Sequence, residues 1–300
     1  MMKKIIYNMQ GIFSVIWISV NTVICVCPLF IVVILKSIVP IKIWRVYCSK
    51  ILDTIAWIWI GVNNFYITIT KRISWQITGL ENLQKKKWYL VISNHQTWLD
   101  IVVLQRIFNG KIPMLKFFIK DELKWVPLLG LAWWALDFPF MKRHSQSYID
   151  KHPEVKSEDI LSTRKACEKF KHIPVSVMNF IEGHRFTPGR HEGQKSPFNN
   201  LLRPKAGGMA FVLSALGNIM NSILDVTIVY PEGDTGFWSF LCGKIKKIVV
   251  IIEEIPLDEK YIGDYENDSE FKKWFQERVN GIWERKDSRI REVLAENDVK

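Results

Sequence analysis

His95 and Asp100 lie in the run Asn94-His95-Gln96-Thr97-Trp98-Leu99-Asp100, and these residue types can move a proton together. A five-residue separation on a straight helix puts two side chains about 140° apart. Imidazole and carboxylate can therefore meet only if His95 sits in a turn and Asp100 inside the helix that follows. Asp100 would then accept from one ring nitrogen, fix the tautomer and leave the other nitrogen as a base. A His-x4-Asp spacing arises by chance roughly 0.3 times in a chain of this composition, so it needs company.

Three further segments supply that company. Phe180-Ile181-Glu182-Gly183-His184-Arg185 ends an apolar run at a glycine, where the backbone can turn sharply. The Arg185 fork suits a phosphate, and Glu182 could hold that arginine in place. Lys120 and Arg143 flank an apolar, tryptophan-rich stretch that contains Pro127 and Gly130, a pattern that sets cations beside a greasy surface. The fourth segment, Asp225 to Pro231, reads as a packing strand whose Pro231 would offer shape alone. His144, His172, His184 and His191 lack zinc-site spacing and read as loop histidines, so no metal is expected.

The elements that must position these residues are those of an α/β domain. Trp88–Ser93, Met114–Ile119, Val175–Ile181, Asp225–Tyr230 and Lys247–Ile255 are β-prone. Leu99–Phe108, Asp121–Asp137 (broken at Pro127 and Gly130), Glu158–Lys171, Ala206–Leu216 and the segment from Phe271 onward have helical periodicity. Residues 144–157 and the stretch from Glu182 to about Pro204 read as loops. Strands alternating with helices predict a mixed, largely parallel sheet flanked by helices.

Ahead of this lies a different texture. Gly11 to Leu35 is 25 residues without a charge, enough for a hydrocarbon core of roughly 30 Å, and longer than a signal-peptide core. Thr54–Thr70 is apolar and aromatic but interrupted by Gly61, Asn63 and Asn64, so it suits an interfacial element or the return limb of a hairpin. Pro28 and Pro40 argue against one straight helix through the region. The expected organisation is an N-terminal membrane anchor over residues 1–72, of one spanning or two hairpin helices, and an α/β domain over 73–300. The Lys/Arg distribution favours the cytoplasmic side for residues 71–300.

The formal net charge is +11, which calls for an anionic partner. Residues 1–72 carry eight cations against one acid, +7, and the remaining 228 residues carry 33 against 29, only +4. Most of the basicity thus belongs to the anchor and suits anionic lipid headgroups. Nucleic acid is excluded as a partner, because the α/β part has no basic–aromatic stripe. The five cysteines are odd in number and lack a CxxC, so neither a disulfide framework nor a zinc ribbon is indicated.

Taken in order, the four segments resemble the 1-acylglycerol-3-phosphate acyltransferase family. That family shows Asn-His-x4-Asp, then Lys-x-Glu-Leu with proline and glycine leading to an arginine block, then Phe-x-Glu-Gly-x-Arg, then an apolar strand closed by proline. Here these fall at 94–100, 120–143, 180–185 and 226–231, and the likeness extends to the bacterial YihG-type subgroup. His184 stands where the family more often has a small residue, and the loop from Phe186 to Arg203 is longer and more polar than in compact members. Both bear on acceptor specificity.

The resemblance implies catalysis by His95 and Asp100, and binding of the substrate phosphate by Lys120, Arg143, Glu182, Gly183 and Arg185. It implies direct transfer from acyl-CoA or acyl carrier protein to the free hydroxyl of 1-acylglycerol-3-phosphate, giving phosphatidic acid, with no further cofactor. No Gly-x-Ser-x-Gly elbow is present, in keeping with a route that skips a covalent intermediate. The implied setting is a bacterial inner membrane with the catalytic domain facing the cytoplasm. Two other functions fit parts of the sequence: the same chemistry on another lysophospholipid, or a non-catalytic protein that binds anionic membranes. The latter would need neither the His-Asp pair nor the Glu-Gly-x-Arg turn.

Overall fold

The structure is a computed structural model that describes residues 2–126, 129–141, 170 and 173–298. The predicted loop 144–157, nearly all of the predicted helix Glu158–Lys171, and Arg143 lie outside the described residues.

Two long helices open the chain, α1 (Met2–Ile38) and α2 (Lys42–Thr70), packed on each other as a hairpin. The region forms two helices rather than one, with α1 running through Pro28 and the chain breaking around Pro40. One missing amide donor is tolerable inside a helix held on both sides of it, whereas at the turn nothing opposes proline. α1 is long and apolar enough to cross a membrane. Both helices expose large apolar side chains outward, among them Ile12, Phe13, Ile24, Trp57 and Phe65.

Their other faces pack against the rest of the protein. Leu29, Val33, Leu52, Ala56 and Ile67 share one apolar cluster with residues of the sheet. Buried Lys71 donates to Ser14 Oγ at 2.8 Å and to the Leu241 carbonyl, and Asn21 donates to the Trp59 carbonyl and to Asn63. Lys36 pairs with Asp137 at 2.9 Å.

Among the described residues, a six-stranded sheet follows in the order β1-β8-β7-β2-β6-β3. Its strands are β1 (Ser74–Thr78), β2 (Tyr89–Ser93), β3 (Leu115–Phe117), β6 (Ser176–Asn179), β7 (Ser222–Val229) and β8 (Lys247–Pro256). All neighbours are parallel except β7 and β8. The sheet is the mixed, largely parallel one expected. β4 (Ile119–Lys120) and β5 (Phe140–Met141) form a separate parallel pair.

The hairpin and α3 (Leu99–Phe108) cover one face of the sheet, while α6 (Ala206–Leu216) and α8 (Ser269–Asp298) cover the other. With helices on both faces, β2 and β7 are buried at every position, which is why they read as continuous apolar runs rather than alternating ones. α4 (Leu129–Ala135) follows a 3-10 turn over Asp121–Trp125.

Some elements were not anticipated. β1 is a half-exposed edge strand, and α7 (Phe237–Leu241) spans little more than one turn, so periodicity had little to register. Inside the expected 182–204 loop, α5 (Pro188–Gln194) begins at Thr187, whose side chain accepts from Arg190 N, and stops at Lys195 with φ +47°. A threonine cap followed by proline is a readable helix start, and its shortness hid it.

Candidate active site

β6, β2 and β7 are adjacent and parallel, so their carboxyl ends open at the same edge of the sheet, the usual place for ligand chemistry in α/β folds. β2 leads into His95, β6 into Glu182–Arg185, and β7 into Tyr230.

Asn94 ties the first turn to the third strand. Its amide nitrogen donates to the Ile228 carbonyl at 2.9 Å, and its oxygen accepts from Ile228 N at 2.9 Å. The side chain thereby continues the ladder that β2 has just left. His95 follows in the turn and Asp100 sits in the first turn of α3, with Nδ1 and Oδ2 2.8 Å apart.

Asp100 is fully buried, and the imidazole is 15% exposed. The same Oδ2 accepts from Gln96 N at 2.6 Å and Thr97 N at 2.9 Å, and Oδ1 accepts from the Tyr230 hydroxyl at 2.7 Å. A carboxylate with four donors is compensated despite its burial. As acceptor from Nδ1–H, it leaves Nε2 with a lone pair. The imidazole also stacks on Phe180, with centroids 3.9 Å apart, and Phe180 in turn stacks on Phe117 at 6.4 Å.

The His95 main chain is held from the opposite side. Glu182, fully buried, accepts from His95 N at 3.3 Å through Oε1 and from Leu202 N at 3.2 Å through Oε2. Burial pushes its carboxyl up to about 8, against the pull of the two amides and of Lys286. These amides are its partners, so Glu182 fastens the His95 turn to the loop at Leu202 from within the protein. The His95 carbonyl accepts from Phe186 N at 2.7 Å, closing the connection.

Gly183 has φ +74°, a left-handed conformation that brings the chain round to Arg185. The Arg185 guanidinium lies 5.0 Å over the exposed ring of Trp98, within the His-x4-Asp block. Arg185 is thus on the His95 side of the turn and open to solvent, with Arg190 donating to its carbonyl at 3.1 Å.

Lys120 is exposed at the end of β4, with Met141 as its partner in register. The aromatic line through Phe180 and Phe117 connects this part of the chain to the imidazole. Among the described residues no group of three or more His, Cys, Asp or Glu is arranged to hold a metal ion.

The acyltransferase family model matches residues 74–233, which include every one of these turns. The chain belongs to the acyltransferase family.

A relative described as 1-acyl-sn-glycerol-3-phosphate acyltransferase epsilon, from Mus musculus, is 22% identical over 226 residues, 68% of this chain and 58% of that one. Another, the 2-acyl-1-lysophosphatidylinositol acyltransferase of Saccharomyces cerevisiae, is 26% identical over 248 residues, 66% of this chain and 59% of the relative. The chain spans about half the length of the curated relatives it matches. The crystal structure of PlsC, the 1-acyl-sn-glycerophosphate acyltransferase from Thermotoga maritima, shares the fold. It has a TM-score of 0.51 and 21% identity, over 95% of this chain and 98% of that one.

Tyr230 is the residue of this acyltransferase that sequence reasoning passed over, since a tyrosine closing an apolar strand looks like core. Burial, and then Asp100 beside it, hold its phenol well above the ordinary range, so it stays a donor. Tyr230→Phe leaves Asp100 Oδ1 buried without that partner. We expect a loss of about 1–3 kcal/mol in stability and a fall of about tenfold in kcat, one bond's worth, read by thermal melts and steady-state kinetics. A kcat equal to the parent's would show that this bond is structural only.

Proposed function

We propose that the chain moves a fatty acyl group from an acyl thioester to the free hydroxyl of 1-acylglycerol-3-phosphate, giving phosphatidic acid. The observation that carries this reading is the His95 imidazole, held by a buried, fully hydrogen-bonded Asp100 with Nε2 left over, at the carboxyl edge of the sheet. Nε2 takes the proton of the acceptor hydroxyl as its oxygen attacks the thioester carbonyl carbon. The C–O bond forms, the C–S bond breaks, and the proton passes from the imidazolium to the departing sulfur. The thioester supplies the driving force, so the scheme uses no further cofactor, and either acyl-CoA or acyl carrier protein serves as donor.

Arg185, with Lys120 and Arg143, would hold the acceptor's phosphate and so place its hydroxyl against the base, which converts binding into rate by positioning. Arg185→Lys keeps the charge and loses the planar fork and its seat on Trp98. The expected result is an acceptor KM raised about tenfold, about 1.4 kcal/mol, with donor KM unchanged. Unchanged acceptor kinetics would move the phosphate site elsewhere.

The apolar outer face of the helical hairpin supports membrane association. The bacterial inner membrane, with the catalytic edge towards the cytoplasm, completes the reading on the strength of the cation count and the YihG-type likeness. A second acceptor class is favoured by one specific finding, the similarity to a lysophosphatidylinositol acyltransferase. The deciding experiment supplies purified protein with acyl-CoA or acyl carrier protein and a panel of lysophospholipids, and reads thiol release together with the lipid product. Phosphatidic acid as the main product supports the first reading. Preference for an inositol or glycerol headgroup moves the assignment to the second, and no transfer to any acceptor overturns both.

A further inference from the structure

The end of the helical hairpin that carries Pro40 borders a cavity of about 500 Å³ that the catalytic scheme does not use. Its walls come from the last turn of α1, the first three turns of α2, the turn after α4, and residues 173–175. Val175 leads into β6, so the cavity lies at the amino edge of the sheet, whereas His95 and Arg185 lie beyond its carboxyl edge.

Two ion pairs fix these walls. Buried Lys116, on β3, meets Asp53 of α2 at 2.5 Å and donates to the Leu136 carbonyl at 2.8 Å. Lys36 of α1 meets Asp137 at 2.9 Å. Among the described lining residues, four cations (these two lysines, Lys42 and Arg45) stand against those two acids. Both acids are engaged by lysines, and among the described residues no acid pairs with Lys42 or Arg45. Both of these cations sit in the first turn of α2, which contains no acid and has no side-chain cap. The first amides of a helix lack intrahelical partners and carry positive partial charge. Two cations placed there oppose the helix dipole, and all of these charges suit an anion.

A soluble anion would account for the charge but not for its surroundings. Ile38, Ile41 and Ile43 each follow a lining residue, Ser37, Pro40 and Lys42, and all three are exposed. The cavity therefore has an apolar rim, continuous with the apolar outer face of the hairpin. Cations inside such a rim would meet a phosphate while the isoleucines meet acyl chains.

We propose that this cavity binds the headgroup of an anionic phospholipid of the bilayer, with the phosphate on Lys42, Arg45 and the first amides of α2. The site is separate from the one that takes the acceptor, and the inference stands whether or not His95 is the base.

The test uses purified full-length chain in neutral detergent micelles, titrated with phosphatidylglycerol or phosphatidylcholine and read by native mass spectrometry. Phosphatidylglycerol should be taken up in preference. Lys42→Gln/Arg45→Gln should weaken that uptake by at least about tenfold, since each cation at a lipid surface contributes about fivefold. Both side chains are exposed, so thermal melts should match the parent. Lys3→Gln/Lys4→Gln removes the same charge about 50 Å away along α1, far beyond a Debye length, and should leave the affinity within about twofold. Arg185→Lys should also bind as the parent does. Equal weakening by the two double variants, or none by the first, overturns the site, as does equal uptake of phosphatidylcholine. An affinity that falls with Arg185→Lys alone returns the lipid to the catalytic edge. Inorganic phosphate that displaces the lipid at comparable concentration overturns the lipid assignment in favour of a free anion.

Discussion

His95→Ala should lower kcat/KM for acyl transfer by about 10²–10⁴-fold, the range of a general base, while leaving the protein folded. The imidazole is 15% exposed and its ring meets Phe180, so its removal opens space at the site rather than in the core. One aromatic stacking contact is worth about 0.5–1.5 kcal/mol, and the melting temperature should fall by a correspondingly small amount. The two readouts must separate, with rate lost by orders of magnitude and stability nearly kept. Turnover within tenfold of the parent would place the base at another residue.

Asp100→Asn should be nearly as damaging to rate and worse for stability. The carboxylate receives donors from His95, Gln96, Thr97 and Tyr230. An amide replaces one acceptor oxygen with a donor, so in either flip it faces at least one donor in a buried site. The expected stability loss is about 1–3 kcal/mol for each unsatisfied group. If the amide nitrogen faces His95, the imidazole must accept at Nδ1 and carry its proton on Nε2, the wrong nitrogen for a base. A kcat reduced by about 10²–10⁴-fold with an unchanged donor KM would show that Asp100 acts through the orientation and tautomer of His95. A kcat within about tenfold of the parent, in a variant shown to be folded, would remove Asp100 from that role.

The local parts of the site were open to sequence reasoning because they depend on short stretches of chain. The spacing of His95 and Asp100 required a turn followed by a helix, and α3 begins at Leu99. The apolar run ending at Gly183 required a strand and a sharp bend, and both are present. Glu182 shows the boundary of that reasoning. Three residues from Arg185 in sequence, it looked like a partner for the guanidinium, yet the strand ends at Asn179 and the turn through Gly183, with φ +74°, carries the two side chains apart. Glu182 points inward to two amides, and Arg185 points outward to Trp98. The hairpin shows the same boundary. Its apolar length was plain, but the contacts of Lys71 with Ser14 and Leu241 join three distant segments.

The sequence by itself determined the residue chemistry and its local geometry: which strands end in reactive turns, that His95 precedes a helix carrying Asp100, and where the positive charge is concentrated. Tertiary structure alone decided what surrounds that pair. Glu182 reaches His95 across 87 residues, Tyr230 reaches Asp100 across 130, and Asn94 reaches Ile228 across 134. All three contacts exist because β2 lies between β6 and β7 in a parallel sheet. Apolar periodicity says that a segment is a strand and whether its faces are covered. It carries no record of which strand lies beside which, and that order places a buried acid, a phenol and an amide around one imidazole.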